Sequence, residues 1–146
     1  SRADAQPQVV HGPWRFYRHR QRLYVEPRDI AEQPHAQVVQ WLLTEPLRLP
    51  CGVLSARPGG EFLPSGKVTV EFRRGGERCQ LAGEGHHRSL KKLLQQWDLP
   101  PLQRARLPLI YCDGVLAAIA GLAVCEGFSA PKGDGWQVCW QDVAGH

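Results

Sequence analysis

Methionine is absent from all 146 residues, the initiator position included, so the chain is expected to start inside a longer open reading frame. The five cysteines, Cys51, Cys79, Cys112, Cys125 and Cys139, form no CxxC pair and have no histidine at ligand spacing. That excludes a recognisable zinc site or disulfide framework and leaves them as small buried hydrophobes in a reducing cytoplasm. No apolar run reaches the roughly 18 residues that a membrane helix needs, and no secretory or lipidation signal is present, so a soluble intracellular protein is expected. Walker loop, dinucleotide fingerprint, nucleophile elbow and HExxH are all missing. His86–His87 has no further ligands beside it, and Glu77, His86 and Asp113 do not form an acid–base constellation. No catalytic residue, metal site or cofactor is therefore expected in this chain, which reads as a binding module.

The charge is uneven. The net value is +4, but residues 57–106 hold ten basic and five acidic side chains, whereas 107–146 hold one and four. A basic middle third points to an anionic partner, and nucleic acid is the most direct candidate. At 42% apolar, the chain has the length and composition of one ordinary domain.

Residues 1–8 are polar and read as a frayed lead. Trp14–Arg18 and Arg22–Val25 form an aromatic hairpin around His19–Arg20–Gln21. Aromatics interleaved with arginine can stack bases, but a half-buried ribbon with aromatics inward and arginines outward is the simpler expectation. Pro27–Pro34 reads as loop, and Gln37–Leu43 as an apolar strand limited by Pro46 and Pro50. Pro58–Gly59–Gly60 and Leu63–Gly66 are turn chemistry. Lys67–Phe72 alternates strictly, and Glu77–Leu81 is expected to return antiparallel to it after Arg74–Gly75–Gly76. Asp113–Gly114, between Leu107–Tyr111 and the apolar run Val115–Val124, marks another hairpin. Trp136–Trp140 is a last short strand.

One helix stands out. Ser89 is a good N-cap, and Leu90, Leu93, Leu94 and Trp97 make a single apolar stripe that ends before Asp98, Pro100 and Pro101. Pro101 can open a second, short helix over Leu102–Arg106. His86, His87 and Arg88 crowd the positive end of the first helix, a placement disfavoured by roughly 0.3–1 kcal/mol per cation unless an anion binds there. Lys91 and Lys92 occupy its outer face. Arg73, Arg74, Arg78, Arg104 and Arg106 are close in sequence.

The run FRRGGERCQLAGEGHHRSLKKLLQQWDLPPLQRARLPLIYCDGVLAAIAGL resembles the C-terminal domain of bacterial tRNA(Ile)-lysidine synthetase, and RFYRHRQRLYV resembles the ribbon that precedes it. Leu94 and Leu102 depart from the family's usual Phe and Trp. The resemblance implies an α+β fold with antiparallel strands, one main and one short helix, related to a domain of the phenylalanyl-tRNA synthetase β chain. Residues 9–146 would then be a single tRNA-binding domain with its motif block at 53–124. The parent ligase uses ATP, with magnesium, to join lysine to the wobble cytidine of tRNA(Ile), through a catalytic N-terminal domain whose pyrophosphatase loop this chain lacks. This part would grip the acceptor stem and help reject tRNA(Met). The residues expected on the tRNA are Arg73, Arg74, Arg78, His87, Arg88, Lys91, Lys92, Arg104 and Arg106. A second reading makes the basic face a dock for an acidic protein. For Arg104 and Arg106 the competing account is an internal cap, or a pairing with an acid such as Glu77.

Overall fold

The computed structural model describes residues 8–28, 37–131 and 133–142. Residues 1–7 of the expected lead, and all of the expected Pro27–Pro34 loop but Pro27 and Arg28, lie outside that set, whereas Gln8 already belongs to a strand. Three strands come first: β1 (Gln8–His11), β2 (Trp14–His19) and β3 (Arg22–Pro27), paired antiparallel in the order β1-β2-β3. The predicted aromatic hairpin is the β2–β3 pair, turned by Arg20 and Gln21 at φ 52° and 66°, so the left-handed turn forms without glycine.

Its sidedness follows the expectation at Tyr17, which is buried, and at Arg18 and Arg22, which are exposed, but reverses it at Trp14 and Arg15. Arg15 and His19 are buried while Trp14 is 46% exposed, because Arg15 donates to Glu26 Oε1 at 3.2 Å across the inner face. Two buried carboxylates, Glu26 and Asp142, meet in this interior, and Arg15 joins Arg106 in compensating them, which outweighs the preference of tryptophan for the interior.

After β4 (Val39–Gln40) the expected strand stops, and the chain turns so that Trp41 Nε1 donates to the Glu45 carbonyl at 2.8 Å. β5 (Leu47–Leu49) leads into β6 (Gly52–Gly60), which carries straight through Pro58–Gly59–Gly60. The predicted turn there is a strand end. β6 pairs along its length with the last strand, and at Gly60 a Cβ would stand 2.4 Å from backbone atoms of that partner. Glycine is used at Gly60 for close approach. β7 (Val68–Glu71) buries Val68 and Val70, with Phe72 just beyond, as its alternation predicts. The return strand does not pair with β7. Instead β8 (Arg78–Cys79) forms its own two-stranded ribbon with β9 (Arg88–Ser89), because the Arg74–Gly75–Gly76–Glu77 turn closes on itself through the Glu77 carboxylate.

The helices are α1 (Leu90–Gln96) and α2 (Pro101–Arg106), within a residue or two of expectation. Trp97 is the C-cap of α1 and Asp98 follows it at φ 62°. Asp98 N–H donates to Gln95 O at 3.0 Å and Leu99 N–H to Leu94 O at 3.4 Å, the paired bonds of a Schellman motif, before the prolines prevent further helix. β10 (Leu109–Cys112) and β11 (Val115–Ile119) make the Asp113–Gly114 hairpin; β12 (Ala123–Val124) and β13 (Gly135–Asp142) complete the chain.

The central sheet runs β12-β11-β10-β7-β4, and β13-β6-β5 is a separate sheet. Two cores result. One joins Trp41, Leu54, Phe62, Val70 and Ile110. The other seats Leu90, Leu93 and Leu94 of α1 beside Leu109 and Ile119 of the central sheet. The fold is α+β with antiparallel pairing among the described residues. Ala117, Ala118 and Ala120 are buried, and small side chains here leave room for close packing.

Candidate nucleic-acid interface

Three segments converge where α1 begins. The Glu77 carboxylate accepts the backbone N–H groups of Arg74 at 2.7 Å and Gly75 at 3.1 Å, and the Glu77 carbonyl accepts Leu90 N–H at 3.0 Å. The β8–β9 ladder sets Arg78 opposite Ser89 and Cys79 opposite Arg88. Ser89 Oγ accepts Lys92 N–H at 3.4 Å, a long N-cap bond that points Lys91 and Lys92 away from the buried leucines. Each of Leu90, Leu93 and Leu94 has no exposed surface, and burial of such a side chain is worth about 1.5–3 kcal/mol. The apolar side of α1 therefore clamps its cationic side in place.

The predicted residues separate into three groups. Arg74, Arg78, His87, Lys91 and Lys92 are exposed and belong to this one loop cluster. Their internal ties are few: Arg74 pairs with Glu71 at 3.3 Å, and Arg78 Nη2 donates to the His87 carbonyl at 3.4 Å. Arg73 and Arg88 are half-buried. Arg88 bridges Glu84 at 3.4 Å and also reaches Gln96, so its charge is partly spent on holding β9 to α1. Arg73 Nε is buried without a hydrogen-bond partner.

Arg104 and Arg106 are not on this surface. Arg104 is buried and its Nε donates to the Leu99 carbonyl at 2.7 Å, so it satisfies backbone in the inter-helix link. Arg106 is 0% exposed: Nη1 and Nη2 donate to Glu26 Oε1 and Oε2 at 3.0 and 2.8 Å, and Nε to Asp142 Oδ2 at 3.2 Å. Burial disfavours its charge, but the two carboxylates outweigh burial and hold the guanidinium above its ordinary pKa. The expected solvent-facing arginine is thus an internal rivet between β3, α2 and β13. Its acids are Glu26 and Asp142 and not Glu77, and spacings of 80 and 36 residues gave no local signal for either.

The supposed positive end of α1 also counts for less than its sequence implies. Seven residues align few peptide dipoles, so the attraction for an anion comes from the side chains. Catalytic use is not supported by the carboxylates: Glu77 caps its own turn, and Asp113 Oδ1 accepts Lys67 N–H at 2.8 Å. Among the described residues no group of three or more metal-ligating side chains occurs. Cys51, Cys79, Cys112 and Cys125 are buried as expected, whereas Cys139 is half-exposed. Burial pushes Cys51 up to about 11 and raises Cys112, while the facing Cys79 thiol, at 2.9 Å, and burial hold Cys125 up.

Comparison with known proteins places this surface in a context. The family model described as the TilS substrate C-terminal domain matches residues 68–140. The chain is 37% identical to the tRNA(Ile)-lysidine synthase of Coxiella burnetii over 140 residues, which is 91% of this chain and 31% of that protein. It is also 37% identical to the tRNA(Ile)-lysidine synthase of Serratia proteamaculans, over 97% of this chain and 33% of that protein. The chain thus spans about a third of the length of the curated relatives it matches. A crystal structure of a TilS C-terminal domain superposes with a TM-score of 0.56 and 19% identity, covering 74% of this chain and 98% of that one, which supports the shared fold.

Proposed function

The chain belongs to the TilS substrate C-terminal domain family, and from that membership we propose that it is the tRNA-gripping part of a tRNA(Ile)-lysidine synthase. In this reading the parent is a cytoplasmic ligase that uses ATP and magnesium, held by its catalytic N-terminal domain, to join lysine to the wobble cytidine of tRNA(Ile). The present chain contributes no catalytic group. It holds the acceptor stem and thereby helps the enzyme reject tRNA(Met).

The observation that carries the reading is the exposed group Arg74, Arg78, His87, Lys91 and Lys92, gathered on one loop cluster whose internal ties leave the two lysines without an ion pair among the described residues. Long cations spaced along a ribbon and a helix face suit phosphates, which a protein contacts for position and affinity and not for base identity. Specificity between tRNAs would come from which stem geometry lets all of them engage together.

Salt dependence tests this directly. Each phosphate contact contributes a log–log slope of about −0.7 to −0.9. Lys91→Gln with Lys92→Gln preserves helix propensity and removes only charge. The expected result is weaker tRNA binding by the full-length enzyme, a salt dependence flatter by up to about two contacts' worth, and a nearly unchanged melting temperature. Unchanged affinity and slope would mean that this helix face is merely solvated. Binding of an acidic protein that survives while tRNA binding is absent would favour the protein-docking reading instead.

A further inference from the structure

The β1–β3 sheet leaves a second surface without a role. Register puts His11, Trp14 and Pro27 in one row, Val9, Phe16 and Val25 in the next, and Arg18 with Leu23 in the third, all on the outward face. Trp14 is 46% exposed, Val25 42%, and Val9 and Leu23 62% each. Trp14 is the only exposed tryptophan among the described residues. The exposed charge that the three strands themselves carry is basic. Glu26 is the single acid in residues 8–28, and it is buried against Arg15 and Arg106, whereas Arg18, Arg20, Arg22 and Arg28 are exposed. Arg20 is partly used by Asp98 at 2.8 Å, and Arg28 by the Gly12 carbonyl at 3.2 Å.

An exposed apolar sheet face with an open indole and, among the described residues of its three strands, Arg18 as its only charged side chain has the chemistry of a stacking platform. Aromatic rings accept the faces of unpaired bases and the adjoining cations take the phosphates, an arrangement indifferent to sequence. A neutral protein surface would match the aliphatic residues but offer Arg18 no anion. An anionic ligand with flat apolar rings satisfies both. We propose that the outward face of β1–β3 binds a single-stranded RNA segment, with a base on Trp14, its neighbour beside Phe16, and a phosphate at Arg18. The proposal rests on reading the chain as an RNA binder, and adds a contact for unpaired nucleotides separate from the Lys91–Lys92 cluster.

The test is titration of this chain with a labelled oligoadenylate octamer, followed by anisotropy and by tryptophan emission. Stacking on Trp14 should quench emission. Trp14→Ala should weaken octamer binding by at least about fivefold, the effect of losing one stacked base, while leaving the salt slope intact; Trp14→Phe should restore most of the affinity. Arg18→Gln should instead flatten the slope by about 0.7. Octamer affinity that is unmoved by Trp14→Ala, or absent while tRNA still binds, overturns the platform and spares the function proposed above. A Trp14→Ala change that leaves RNA binding intact but lowers the melting temperature of the full-length enzyme identifies the face as a protein dock, and overturns the proposal too. Loss of both octamer and tRNA binding in the unmodified chain removes the two readings together.

Discussion

Arg106 shows how much one side chain can be asked to hold. Its three nitrogens reach two carboxylates from opposite ends of the chain, and nothing of it is exposed. Breaking such a group by removing one partner strands buried charge, at a cost of about 3–5 kcal/mol. Arg106→Gln is therefore expected to lower the unfolding free energy by about that amount in a denaturant titration, and to leave the salt slope of tRNA binding untouched wherever the protein is still folded. A flattened slope with unchanged stability would return Arg106 to the surface. Tyr17 lies in the same neighbourhood. Its hydroxyl is buried without a hydrogen-bond partner, and burial, aided by the nearby Glu26 charge, pushes its pKa up to about 12. Tyr111 is likewise raised to about 12, by burial and then by Glu71. These groups are raised relative to the unfolded chain. Their contribution to stability is therefore complete below about pH 10 and is lost as pH rises from there through about 12, with Cys51 beginning the loss above about pH 9. Melting temperature should fall steeply over that alkaline range. Tyr17→Phe should soften the fall and be neutral or stabilising at pH 7, since it removes an unsatisfied hydroxyl; an unchanged alkaline profile would contradict the burial argument.

At the scale of elements, α1 is held by its caps and its leucines and not by its length. Isolated helices of seven residues are unstable in water, so the cluster bearing Lys91 and Lys92 exists only because Leu90, Leu93 and Leu94 are sealed beside the central sheet. The Schellman closure at Asp98 and the N-cap at Ser89 fix where it starts and stops. Because the Ser89 bond is long, Ser89→Ala should cost only about 0.5 kcal/mol, at the low end for N-caps, and leave tRNA affinity within twofold. A loss of several kcal/mol, measured by thermal unfolding, would mean that Ser89 secures the β8–β9 ribbon as well. Asp98 does further duty, since Arg20 of the β2–β3 turn reaches it at 2.8 Å. The end of α1 and the tip of the first hairpin are thereby tied together.

Across the whole molecule, the first three strands are tied to the remainder by polar groups: Glu26 to Arg106, and Arg20 to Asp98. That leaves two cationic surfaces, one around α1 and one on the outer side of the first sheet. Neither contains a nucleotide-binding loop. The purified 146-residue chain is therefore expected to bind tRNA without forming lysidine or adenylating the tRNA. Transfer of a radiolabelled adenylyl group from ATP to tRNA by this chain alone, with release of pyrophosphate, would contradict that assignment of labour.

Local order was legible because it has local causes. The 3.6-residue spacing of Leu90, Leu93, Leu94 and Trp97, the alternation of Val68, Val70 and Phe72, and the chain-breaking geometry of Asp113–Gly114 and Pro100–Pro101 each act within a few residues, and the elements formed where they act. The clustering of Arg74, Arg78, Lys91 and Lys92 follows for the same reason, since one turn and one ribbon connect them. What a cation faces is decided by the acid that folding delivers to it. Glu26 and Asp142 arrive at Arg106 from 80 and 36 residues away, and Glu26 also draws Arg15 inward, turning Trp14 out to solvent. Buried charge costs several kcal/mol when unpaired, more than the exposure of one indole, so pairing across the tertiary structure overrode the pattern that the β2 residues carry.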